Sequence, residues 1–168
     1  MEIRLANLND KEALIELALE NKIELQNLNI PISSTKIEKT IENLFILNKG
    51  SHVVFVAETI SGELAGGLLA SLECYFYSDA LQAQLIQWYV KKRYRGTSIA
   101  PRLLKAYVEW AKANNAIELF LGITSDIDSF LSHRMLMKMG FRHVGGNYTI
   151  NLDKSSLTVI NPVSSSNG

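Results

Sequence analysis

The sequence of 168 residues predicts a mixed α/β fold: a mostly antiparallel central sheet with helices on both faces and one parallel crossover pair. Three observations carry this. Apolar residues recur at helical spacing after the first short strand-like segment and again from residue 98 onward. The block from Val53 to Val90 is rich in β-branched and apolar residues broken by short turn signals. Finally, the strand ending at Val90 reaches the next strand, at Ile117, only through a helix, so those two strands can run parallel.

Ile3 to Ala6 alternates as a short strand, and Asn9 or Asp10 can cap a helix with Ala13, Leu14, Leu17 and Ala18 along one stripe. Pro31 interrupts the chain before the next helix. Ser33 or Ser34 opens that second helix, which bears Ile37, Ile41, Leu44 and Phe45 on one face, with Gly50 past its end. Val53 to Thr59 and Leu64 to Tyr77 form a hairpin around Ser61-Gly62, and Ser78-Asp79 turns the chain into a strand from Leu81 to Val90. Ile99, Leu103, Tyr107, Trp110 and Ala111 mark a helix from Ser98 to the Asn114-Asn115 terminator. Ile117 to Ile123 reads as a buried strand, Ser125 and Asp128 as a capping box, and Gly140 as the end of a fourth helix. Phe141 to Val144 and Tyr148 to Leu152 are expected as two closing strands. Residues 1–154 then make a single domain, and 155–168, without a core pattern, a flexible C-terminal tail.

Charge and cysteine content exclude several functions. Lys plus Arg number 17 and Asp plus Glu number 17, so there is no global excess with which to hold a nucleic acid or an anionic membrane. Cys74 is the only cysteine, which rules out an intrachain disulfide and a cysteine-based zinc site; as a side chain it reads as a small buried hydrophobe. His52, His133 and His143 lack ligand spacing, and no metal site is expected. Met1 to Leu5 lacks the apolar core of a secretory signal, and no apolar stretch approaches the roughly 20 residues of a membrane span. A soluble cytoplasmic protein is expected, with no membrane partner.

Residues 90 to 104 carry the chemistry. They read as a strand end, a basic loop and the first turns of an amphipathic helix, an arrangement that binds anions through unpaired backbone N–H groups and the helix dipole. Arg95 adds a planar donor fork suited to phosphate, and Gly96 allows backbone that a side chain would hinder. Although the chain is neutral as a whole, no acidic residue occurs between Asp79 and Glu109, while Lys91, Lys92, Arg93, Arg95, Arg102 and Lys105 all fall there. A small polyphosphate ligand suits that distribution; a module holding nucleic acid through Lys91, Lys92, Arg93 and Arg95 is a weaker alternative that neutrality disfavours.

Arg95-Gly96-Thr97-Ser98-Ile99-Ala100 resembles the pyrophosphate loop of the GNAT superfamily of N-acetyltransferases, Arg-Gly-x-Gly-x-Gly or Ala, with Ser98 where the central glycine usually stands. Gly140-Phe141 similarly matches that family's Tyr-x-x-x-Gly-Phe segment, with Leu136 in the place of the tyrosine that protonates the leaving thiolate. The resemblance runs from about Ile3 to Leu152. It implies acetyl-CoA as co-substrate and transfer of its acetyl group to the primary amine of a small molecule or peptide, directly in a ternary complex. It also implies a pantetheine cleft between the strands ending at Val90 and starting at Ile117, main-chain pairing around Trp88, Tyr89 and Val90, and an N–H near Tyr89 or Val90 for the thioester oxygen. The strand from Leu85 to Val90 holds no carboxylate, which leaves Glu73 as general-base candidate and Gln87 as a residue able to orient a water. Tyr107 and Tyr148 are the remaining acid candidates. A non-catalytic CoA-binding protein of the same fold is the alternative. Homodimers are common in such folds, and no residue here names an interface.

Overall fold

The structure, a computed structural model, describes residues 1–25, 30–47, 50–123 and 129–147. The chain runs β1 (Glu2–Leu5), a 3-10 turn (Leu8–Asp10), α1 (Lys11–Glu24), α2 (Ser34–Ile46), β2 (His52–Glu58), β3 (Leu64–Tyr75) and β4 (Ser78–Val90). A second 3-10 turn (Lys92–Tyr94), α3 (Ile99–Ala113), β5 (Glu118–Phe120) and α4 (Ser129–Lys138) follow among the described residues. The five strands form one sheet in chain order, antiparallel except for the parallel pair β4 and β5. The predicted architecture is the observed one.

The core is lopsided. Ile99, Leu103, Leu104 and Tyr107 of α3 are fully buried against Val53, Phe55, Ala65, Ala70 and Ala83 of the sheet. At about 1.5–3 kcal/mol for each such side chain, α3 anchors one face chiefly by apolar burial. On the other face α1 fully buries only Leu17, against Val56 and Leu64. What α1 lacks in apolar area it makes up with ion pairs, to which the site owes its shape.

A bulge in β4 matters for that site. The register steps from Leu69 opposite Gln87 to Ala70 opposite Leu85, so Ile86 is an extra residue on β4. The parity of the strand changes there. Ala83, Leu85, Trp88 and Val90 therefore all join the α3 side, whereas Gln87 and Tyr89 face α1 and α2.

Several local expectations need correction. Asp10 holds the N-cap position of α1 as expected but makes no side-chain cap to it; its carboxylate accepts from Arg4 and from the Asn7 N–H, closing a box on the preceding 3-10 turn, which Asn7 caps by accepting from the Asn9 N–H at 2.9 Å. The turn before β4 is Phe76-Tyr77, because Tyr75 pairs with Ser78 and the ladder restarts there; both turn aromatics are exposed. Cys74 is exposed too, since β3 beyond Leu72 runs past the helices that cover its middle. β5 is three residues long rather than seven, and Phe141 to Val144 forms no strand. The Ser125–Asp128 box, the Tyr148–Leu152 strand and the tail 155–168 lie outside the described residues.

Candidate active site

β4 and β5 are paired only where Gln82–Gln84 lies beside Glu118–Phe120; β5 ends there while β4 continues to Val90. Among the described residues the last six residues of β4 thus have an unpaired edge. Lys91 donates its N–H to Ala65 O on β3 at 2.9 Å, and by the alternation of an antiparallel ladder the main-chain groups of Val90 and Trp88 point the other way, into the opening. Val90 O is met by Arg95 Nε at 3.0 Å, which leaves the Val90 N–H and both Trp88 groups facing it. The Trp88 indole N–H is buried and meets no acceptor among the described residues, a cost that a bound acceptor would remove. Tyr107, fully buried, donates its hydroxyl to Phe120 O at 3.3 Å and so pins the end of β5. That position, and a hydroxyl pKa raised by burial, removes Tyr107 as an acid able to reach a thiolate.

Beyond β4 lies the anion loop. Gly96 sits at φ +74°, a conformation that glycine adopts without strain. Thr97 donates its hydroxyl to Tyr94 O at 2.7 Å, and the Ile99 N–H leans on Thr97 Oγ1 at 3.4 Å. Ser98 makes no side-chain cap, so its hydroxyl stays available. Gly96, Thr97 and Ser98 are exposed, and among the described residues no acceptor meets their N–H groups. Ile99 is fully buried and fixes the helix start in the core, with Ala100 half-buried beside it.

The cations before the loop are another matter. Sequence reading assigns the Arg95 fork to phosphate; in the structure it grips the Glu24 carboxylate at 2.5 and 2.6 Å and lies over the Tyr89 ring, 5.6 Å from its centre. Glu24 also accepts from the Tyr89 hydroxyl at 3.1 Å. The Arg95 bond holds Glu24 below the ordinary carboxylate range, while burial and then Glu24 push Tyr89 up to about 12. Lys91 is buried, and its ammonium lies 3.4, 3.3 and 3.2 Å from Glu16, Glu20 and Glu63. Burial pulls its pKa down, but Glu63 and Glu20 outweigh that and leave it raised. Arg93 pairs with Glu63 as well. Lys92 is exposed and makes no ion pair among the described residues. The basic run is thus largely neutralised inside the fold by carboxylates of α1 and of the β2–β3 turn, which removes its footing as a nucleic-acid surface.

The two catalytic candidates are not brought together. Gln87 lies beside the opening, but Glu73 is exposed near the far end of β3, where Ser71 donates to it at 3.0 Å. Since Gln87 pairs with Leu69, Glu73 stands four residues farther along, roughly 13 Å at 3.3 Å per residue. Leu136 is buried in the main core and offers no acid. Two concavities complete the region. A cavity of about 80 Å³ lies between α1, α2 and the sheet, with Gln87 and Tyr89 on its β4 wall. A groove of about 360 Å³ runs along α3, lined by Pro101, Arg102, Lys105, Val108, Met139 and Phe141. Sequence reading missed the groove as a site; the signal was the pair Arg102 and Lys105, one turn apart on the helix that follows the loop. Among the described residues no group of His, Cys, Asp and Glu is arranged to hold a metal ion, and no helix is long and apolar enough to cross a membrane.

A parallel pair that parts beside a loop whose N–H groups meet no acceptor among the described residues is an arrangement suited to an extended ligand ending in phosphate. The model of the acetyltransferase (GNAT) family matches residues 14–141, and the chain belongs to that family, whose members transfer acyl groups from acetyl-CoA. No curated protein matches the sequence. Among solved structures, a predicted acetyltransferase with acetyl-CoA from Clostridium acetobutylicum superposes with a TM-score of 0.70 at 20% identity, covering 90% of this chain and 96% of that one. An aminoglycoside acetyltransferase from an uncultured soil metagenomic sample, in complex with trehalose, gives 0.64 at 23% identity over 90% and 95%. Glucosamine-6-phosphate N-acetyltransferase from Arabidopsis thaliana gives 0.67 at 17% over 90% and 98%. At these identities the likeness is one of fold.

Proposed function

We propose that the protein is an N-acetyltransferase that moves the acetyl group of acetyl-CoA to a primary amine by direct attack within a ternary complex, in the cytoplasm. The observation that carries this is the unpaired edge of β4 from Leu85 to Val90 running into the open N–H groups of Gly96, Thr97 and Ser98. Those groups take the pyrophosphate, with Ile99 and Ala100 fixing the helix start and Arg95 bracing the loop against α1. Arg102 and Lys105 in the α3 groove suit the remaining phosphate of the nucleotide end. On this edge the Val90 N–H and the two main-chain groups of Trp88 are left to meet the pantetheine amides and the thioester oxygen as charge builds on it, while Tyr89 holds the strand to β3. The orphaned Trp88 indole N–H fits the same ligand. An exposed thiol at Cys74 is at home in a reducing compartment.

In the reaction the amine lone pair forms the C–N bond, the C–S bond breaks with its electron pair going to sulfur, and the proton released by nitrogen reaches the thiolate. Gln87 cannot take that proton, though it can orient a water beside the amine. Glu73, roughly 13 Å along the strand, is a base only through solvent. Calorimetric titration with acetyl-CoA tests the reading, with micromolar binding expected; no binding at millimolar ligand overturns it. Buried Leu136 and the carboxylate-free strand favour one rival, a CoA-binding protein without turnover. Release of free thiol in the presence of amines decides between the two.

A further inference from the structure

The cavity between α1, α2 and β4 has a chemistry of its own. Its walls are Leu14, Leu17 and Ala18 of α1, Ile41 and Leu44 of α2, and the sheet beneath; the polar groups at its edge are Gln87 and Tyr89. Gln87 and Tyr89 line it from the same strand whose Trp88 and Val90 main chain faces the opening. The nearby carboxylates are occupied. Glu16 and Glu20 pair with Lys91, Glu24 with Arg95, and Glu38 and Glu42 with Lys11 at 2.9 and 2.6 Å. Of the acidic residues on α1 and α2 this leaves Glu12, which is exposed in the first turn of α1, away from the Glu24 end that meets Tyr89. The stretch between the two helices, residues 25–33, contains no charged residue, and Ile30 and Ile32 in it are exposed.

Among the described residues such a site has no uncommitted carboxylate with which to hold several cationic groups, and it does have an apolar wall. Its size selects further. About 80 Å³ is roughly half of the ~150 Å³ apolar cavity that takes a benzene ring, which favours a short alkyl chain over an aromatic ring. We infer that the acceptor is a primary amine carried on a short, uncharged alkyl body, which enters this cavity and leaves the amino group at the Gln87 edge beside β4. The inference rests on the acetyl-transfer reading for its chemistry, but not for its binding site.

Two measurements test it separately. In a thiol-release assay with acetyl-CoA and unbranched amines from ethylamine to hexylamine, kcat/KM is expected to rise by up to about fourfold per added CH2, the factor for burying one methylene, and to level off near four carbons. Butylamine should exceed kanamycin and spermidine by at least tenfold. Ala18→Leu, which narrows the cavity, should remove most of the chain-length slope while acetyl-CoA binding is unchanged. A flat series, or faster turnover of kanamycin or spermidine, overturns the inference and leaves acetyl transfer standing. Without acetyl-CoA, the methyl NMR signals of Ile41 and Leu44 in the wild-type protein should shift with millimolar butylamine and not with kanamycin. Shifts without turnover of any amine keep the site and sink the transfer reading; no shifts overturn the site, and this readout holds even if Ala18→Leu fails to fold.

Discussion

The segment from Lys91 to Ala100 has two halves that look alike in sequence and do opposite things. In the first, Lys91, Arg93 and Arg95 each meet a carboxylate from α1 or the β2–β3 turn, and their charge is consumed in joining elements far apart in the chain. In the second, Gly96, Thr97 and Ser98 carry no formal charge, yet their N–H groups are the ones left open. Cationic side chains build the scaffold here, while neutral backbone is what stays open to solvent. A charge counted in a sequence is a charge available to a ligand only if nothing in the fold reaches it first.

The largest effect should come from breaking the first half at its most buried point. Lys91→Met keeps the stem but leaves Glu16, Glu20 and Glu63 without their shared cation, whose side chain is only 8% exposed. Breaking a buried pair costs about 3–5 kcal/mol; with carboxylates 31–63% exposed, about 2–3 kcal/mol is expected from urea unfolding. A loss under about 0.5 kcal/mol would mean that the cluster is solvated ornament. Gly96→Val probes the second half: at φ +74° a β-branched residue is strained, and acetyl-CoA affinity should fall at least tenfold with the fold intact by circular dichroism. Unchanged affinity would remove the loop from the ligand site.

Arg95 stands on the boundary. Glu24→Gln and Arg95→Gln should each cost about 1–2 kcal/mol of stability, with about 1 kcal/mol of coupling in the double-mutant cycle. If backbone takes the pyrophosphate, Arg95→Gln weakens acetyl-CoA binding less than about fivefold; a tenfold loss or more means that the fork leaves Glu24 for the ligand. The pair also has a pH signature. Glu24 titrates lower in the folded chain than its ordinary 4.5, so its contribution is complete above that value and is lost as pH falls through the depressed one. Glu24→Gln should therefore flatten the acid limb of stability below pH 4.5, and an unchanged limb would refute the assignment.

Much of the scaffold was legible because period and punctuation are local. The stripe Ile99, Leu103, Tyr107 and Ala111 marked α3, and Gly96 marked the place where φ turns positive. The parting of β4 from β5 was legible only as a likeness, since β5 ends after Phe120 by what it pairs with and not by any breaker residue. Pairing partners were invisible. Nothing in the spacing of Glu24 and Arg95, 71 residues apart, says that they meet, and the Ile86 bulge, which turns Gln87 toward α1, leaves no mark in an apolar run. The hairpin turn slipped by two residues because Phe76 and Tyr77 look like strand residues and are exposed at its tip.

The smallest expected effect is the sharpest test of the contrast. Lys92 is exposed, makes no ion pair among the described residues, and stands between Lys91 and Arg93, which do. If position in the fold and not sign of charge decides what a cation does, Lys92→Ala should change stability by less than about 0.5 kcal/mol, against the roughly 2–3 kcal/mol of its neighbour Lys91. Being an exposed cation near the loop, it still adds to the field that an incoming polyphosphate meets, so its removal should slow acetyl-CoA association at low salt, and the difference should fade near 0.15 M salt as screening shortens that field to about 8 Å. Stopped-flow association at two ionic strengths, beside urea unfolding of the same variant, reads both. A stability loss matching that of Lys91→Met would show that the run acts as one charged block and would undo the division between its halves.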